Sequence, residues 1–123
     1  MRLATGFLTC AALLAATIVS DQARATGFAT FHATVNSSGV TLSGSGVSAS
    51  TKPAVGTYEI TFGRDLTGCG LYGTQRGAGA GFIAVNLKVG SPNIVVVTTF
   101  TAAAAKADRT FFLLAHCNSR NGL

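Results

Sequence analysis

Tryptophan is absent, proline and methionine are nearly so, and acidic residues number only four in 123. Charged residues make up 11% of the chain against 48% apolar ones. A chain so poor in charge is neither a charged disordered tail nor a coiled coil, and its 15 glycines lack the three-residue period of collagen. What remains is an apolar, glycine-rich chain of one-domain length, which disfavours two folded lobes with a cleft between them.

The first 25 residues are read as a secretory signal peptide. Arg2 is followed by an apolar stretch from Leu3 to Val19, then by polar Ser20, Asp21 and Gln22, then by Ala23-Arg24-Ala25. That is a positive start, an apolar middle and an A-x-A exit, predicting cleavage between Ala25 and Thr26. A permanent span fits less well, because Thr5, Gly6, Thr9 and Thr17 dilute a stretch already short of the roughly 20 apolar residues a membrane helix needs. Cys10, which follows Thr9 inside the apolar run, leaves with the leader. Arg2, Arg24 and Asp21 leave too, so residues 26–123 form one 98-residue domain with seven basic and three acidic side chains, a net charge of +4. The basic residues are scattered, without the dense run or interleaved aromatics of a nucleic-acid groove. The expected partner, if the charge is used at all, is an anionic polymer of the cell surface.

Export leaves two cysteines, Cys69 and Cys117, in a compartment where thiols oxidise, and a pair allows one connectivity. Closing so long a loop stabilises a small domain by roughly 4 kcal/mol in the chain-entropy model. A redox or zinc role is disfavoured, since there is no C-x-x-C pair and only His32 and His116 could complete a metal shell.

Period-two patterning dominates the rest. Tyr58, Ile60 and Phe62 alternate with Thr57, Glu59 and Thr61. In 82–89 Ile83, Val85, Leu87 and Val89 share one face, opposite Asn86 and Lys88. Asn93 to Thr101 carries Ile94-Val95-Val96-Val97, apolar on both faces, as expected of a central strand covered on both sides. Thr110 to Cys117 sets Phe111, Leu113, Ala115 and Cys117 against Phe112, Leu114 and His116. Phe31, Ala33 and Val35 alternate with Thr30, His32 and Thr34, and Ser37-Ser38-Gly39 turns the chain into Val40-Thr41-Leu42. Ser43 to Thr51 reads as a weak edge strand around Val47 with turns at Gly44 and Gly46, and Lys52-Pro53 as a loop. Leu66 to Tyr72 reads as a further strand with Cys69 and Leu71 on one side, so that a bridge to Cys117 pins two strands across the interior. The alanine run from Ala102 to Ala105 is the one helix candidate, yet it is too short to stand alone and is expected to make a hairpin loop with a helical turn. Seven to eight short strands predict an all-β fold, a single antiparallel β-sandwich or small barrel with one disulfide.

Catalytic signatures are missing. Gly77-Ala78-Gly79-Ala80-Gly81 departs from G-x-G-x-x-G at Phe82, and no Lys-Ser/Thr follows a glycine loop. The run is read as a flexible hairpin between the Tyr72 and Ile83 strands, with Arg76 at its root as the one weak candidate for an anionic ligand. No G-x-S-x-G elbow is present. Glu59, Asp65 and Asp108 show no pattern that brings two carboxylates together, so no catalytic residue, metal ligand or cofactor is assigned.

The stretches Gly56-Thr57-Tyr58-Glu59-Ile60-Thr61-Phe62, Arg64-Asp65-Leu66-Thr67-Gly68-Cys69 and Asp108-Arg109-Thr110-Phe111-Phe112-Leu113-Leu114-Ala115-His116-Cys117 resemble a small β module of exported bacterial proteins. In that pattern a G-x-Y-x-[VI]-x-F strand leads to a first cysteine, and an F-x-[LV] segment ends in a second. Gly56, Tyr58, Ile60, Phe62, Cys69, Phe111, Leu113 and Cys117 occupy those places. Modules of this look also occur in phage-tail-like and surface proteins. The resemblance implies fold, export and disulfide, and carries no activity; the alanine run departs from it.

The reading that follows is a non-catalytic, secreted or periplasmic β module that binds at the cell surface or packs as a homo-oligomer, because Ile94 to Val97 with Phe112 and Leu114 exceed what a small sandwich must bury. Two alternatives come from other classes. One is a small hydrolase using His32 or His116 as base. The other is an inhibitor or effector presenting the loop at Ser43–Thr51 or at Gly77–Gly81.

Overall fold

A computed structural model describes residues 28–118. The expected leader, Cys10, the expected Ala25/Thr26 junction and Arg120 lie outside the described residues. Eight strands form: β1 Ala29–Val35, β2 Thr41–Ser45, β3 Val47–Ala54, β4 Thr57–Phe62, β5 Gly70–Gln75, β6 Gly81–Lys88, β7 Ser91–Thr101 and β8 Phe111–Cys117. They pair antiparallel in two four-stranded sheets, β2-β1-β8-β5 and β3-β4-β7-β6. The expected all-β, disulfide-linked sandwich is thus present, and no helix forms among the described residues.

Period-two alternation places one residue set of each strand between the sheets. Ala33 and Val35 of β1 and Phe111, Leu113, Ala115 and Cys117 of β8 face Tyr58, Ile60 and Phe62 of β4 and Val95 and Val97 of β7, all buried. Each large side chain so enclosed stabilises the fold by about 1.5–3 kcal/mol. The Tyr58 ring packs edge-on against Phe111, with centroids 4.9 Å apart. Its hydroxyl donates to the Ser37 carbonyl and accepts from the Arg109 amide, so this polar atom carried into the core is satisfied.

Several local expectations are corrected. Ser43 to Thr51 is not one edge strand: Gly44 lies within β2, and the chain passes from one sheet to the other at Gly46, whose φ of 77° places its missing side chain against the Phe31 ring. Lys52 and Pro53 belong to β3, where the register shifts; an edge strand tolerates a proline that a central strand would reject. The strand around Tyr72 begins at Gly70, and Leu66 instead plugs one end of the core, its amide bonded to the Pro92 carbonyl. Val89 leaves the face it was assigned to, 98% exposed in the β6–β7 turn beside Gly90 at φ 79°. The Gly77–Gly81 segment is not a hairpin, because β5 and β6 lie in different sheets. The alanine run forms a tight turn with Ala104 at φ 60° and Thr101 bonded to the Ala105 carbonyl; four alanines cannot nucleate a helix against the pull of two paired strands.

The Cys69–Cys117 disulfide forms, with Cα atoms 4.3 Å apart. It joins the lead-in of β5 to the end of β8 within one sheet, rather than spanning the interior between sheets, because Gly70 already pairs with His116. A disulfide of this kind fits an oxidising, extracellular or periplasmic environment. Among the described residues no helix is long and apolar enough to cross a membrane.

Candidate functional site

The inward set of β8 is the core; its outward set, Phe112, Leu114 and His116, has no layer over it. Register extends that set across the sheet. One row runs Ser45, His32, Leu114 and Tyr72, the next Ser43, Thr34, Phe112 and Thr74, and a third Thr30, His116 and Gly70. Tyr72 is 60% exposed, Phe112 46% and Leu114 38%, so three large apolar side chains on adjacent strands present a continuous patch to solvent.

Each ring is held by a neighbour. Gly70, two residues before Tyr72 on the same face, leaves room for that ring to lie along the strand; a Cβ at Gly70 would stand 3.1 Å from the phenol oxygen. The Arg76 guanidinium lies 5.7 Å from the Phe112 ring centroid, a cation–π contact on the outer face. Phe28 stacks on His116 at 4.7 Å, and the Thr30 hydroxyl lies 3.3 Å from Nδ1 of the same imidazole. The patch therefore combines flat rings with Arg76, His32 and His116, and its rows hold no carboxylate.

The three acids of the described residues are engaged elsewhere. Glu59 stands on the outer face of the opposite sheet, where its carboxylate meets Lys88 at 2.9 Å. Asp65 turns into its own loop and accepts from the Thr67 amide; the Thr67 side chain, and after it that amide, hold its carboxyl below the usual range. Asp108 accepts from the Gly56 amide at 2.8 Å and meets the Lys52 ammonium at 2.6 Å. These carboxylates sit on three separate elements. The described residues contain no cluster of three or more His, Cys, Asp or Glu that could hold a metal.

Arg76 is thus placed at the end of β5, its amide bonded to the Thr110 carbonyl and its guanidinium turned over Phe112 rather than toward the glycine loop. Within the exposed loop, Gly79 lies against the Arg109 guanidinium and Gly81 against the Phe100 carbonyl and Gln75, while Gly77, at φ 116°, has open space around it. His32 and His116, read separately from sequence, come together on one face in neighbouring rows of paired strands. Tyr72 was not expected at this site; what signalled it was its place in a strand whose alternate residue is glycine. β7 is central, as expected, but its outer residues Ile94 and Val96 have no second layer and are only half-buried, spanned by the Glu59–Lys88 ion pair.

No family model matches the chain, and no curated protein or solved structure matches it.

Proposed function

We propose that this chain is a non-catalytic, exported β module that docks on an acidic polysaccharide of the cell surface through the outer face of the β2-β1-β8-β5 sheet. The observation that carries this reading is the pairing of exposed Tyr72, Phe112 and Leu114 with Arg76, His32 and His116 on a face whose rows hold no acid. Flat rings suit the apolar faces of a partner, while a guanidinium offers a two-pronged contact to carboxylate or phosphate. The leader-like first 25 residues and the disulfide support an exported site of action.

The test is retention of the oxidised protein on immobilised polygalacturonate compared with neutral dextran, for the parent and for Arg76→Ala with Phe112→Ala. Retention on the acidic matrix that falls about tenfold or more in the double variant is expected, because both a charge and a stacking ring are lost. Equal retention on both matrices, or a double variant that binds as the parent does, would overturn the reading.

A further inference from the structure

Four strands lie at sheet edges, and three of them carry devices that discourage pairing with another chain. β2 has five residues with a register shift opposite it. β3 holds Lys52 and Pro53 and two register shifts. β5 has six residues and is interrupted by an internal glycine, Gly73. β6 differs. It is eight residues long, without proline or an internal glycine, and from Phe82 to Leu87 it carries no charge. Its register with β7 is regular from Gly81 to Leu87 and shifts only at Lys88. Lys88, its single charge, is engaged by Glu59. Among the described residues no strand pairs with its outer side, and Gln75 reaches one carbonyl at its start, that of Phe82. A long, regularly paired edge without charge is a template for strand addition.

We infer that β6 is a self-association edge, pairing antiparallel with β6 of a second copy over Ile83 to Leu87. The occupant follows from charge. Seven basic residues against three acidic ones within residues 26–123 make most approaches between two copies repulsive, and this edge is a neutral stretch with its terminal lysine compensated inside its own subunit. It is also self-complementary in either register a two-fold axis permits. Centred on Ala84, residue 82 meets 86 and 83 meets 85; centred on Val85, 84 meets 86 and 83 meets 87. Both arrangements oppose uncharged side chains.

The symmetry has a geometric consequence. Two antiparallel neighbours in one sheet are related by an axis perpendicular to that sheet, so both copies keep their second sheet on the same side. The two β2-β1-β8-β5 outer faces then point in one direction, side by side. Pairing itself does not depend on what those faces bind; if they bind a polymer, the dimer presents two contacts to it at once.

The test is the molar mass of the oxidised protein by light scattering across a wide range of micromolar concentration, for the parent and for Ala84→Lys with Asn86→Lys. That double change opposes lysines in either register while leaving the core face untouched. A concentration-dependent dimer in the parent is expected, with self-association about tenfold weaker or more in the variant at an unchanged melting temperature. Hydrogen exchange on the unaltered protein gives a second reading that needs no variant: amides within 83–87 gain protection as concentration rises. A parent that stays monomeric, a variant that dimerises equally well, or protection that grows on another strand instead would each remove the proposal. Retention on polygalacturonate by a monomeric parent would do so while leaving the binding face standing.

Discussion

Asp108 shows how one side chain fastens the loop before β8 to the turn between β3 and β4. Its two oxygens take the Gly56 amide and the Lys52 ammonium, and the chain passes so close that a Cβ at Gly56, where φ is 63°, would stand 2.7 Å from the Thr99 carbonyl oxygen. The Lys52 hydrogen bond, and after it the Gly56 amide, hold the Asp108 carboxyl below its usual value, while the same bond holds the Lys52 amine above its own. A lowered carboxylate stabilises the fold above its unfolded value and loses that contribution as pH falls through the folded one; a raised amine behaves oppositely at the alkaline end. Asp108→Asn is therefore less stable than the parent at neutral pH, and the gap closes as pH drops below about 4. Urea midpoints of both proteins across this range check it, and a gap that stays constant into acid would contradict the assignment. None of this was legible from the Asp108-Arg109 pair, because Lys52 and Gly56 lie more than fifty residues away.

At the scale of elements, β8 was recognisable as a strand but not which of its faces is the core. Phe111, Leu113 and Ala115 on one side and Phe112 and Leu114 on the other are similarly apolar, so alternation alone does not distinguish them. Pairing decides: Phe111 meets Val35 and Tyr58 in the interior, while Phe112 faces solvent under Arg76. Phe111→Ala is expected to cost about 3–5 kcal/mol and Phe112→Ala less than about 1 kcal/mol, a contrast between adjacent phenylalanines that denaturant unfolding resolves directly. β4 was read correctly down to its buried set because its opposite face is polar. The segment from Ser43 to Pro53 misled for the converse reason. Serine, glycine and proline signal turns locally, yet here they make two edge strands and the corner between sheets, where weak side-chain demands are tolerated.

For the whole molecule the disulfide is the largest single crosslink, closing a separation of 48 residues that spans β5 to β8. Reduction, or replacement of both cysteines by alanine, is expected to lower stability by roughly 4 kcal/mol if chain entropy dominates. Thermal unfolding with and without a reductant measures it, and an unchanged melting temperature would show that the native sheet makes the bridge redundant. The same scale separates the charges: Glu59 and Asp108 are spent in ion pairs with Lys88 and Lys52, while the candidate face carries the Arg76 guanidinium over Phe112 and no carboxylate in its rows.

The all-β class, most strand positions and the single disulfide were present in the chain itself, because period-two alternation and the cysteine count are local or arithmetic properties. Which apolar face became the core, which edge stayed open, and that Tyr72, Phe112 and both histidines share one surface depended on register and sheet order. Those are set by contacts between residues far apart in the chain, where a shift of one residue exchanges the buried face for the exposed one.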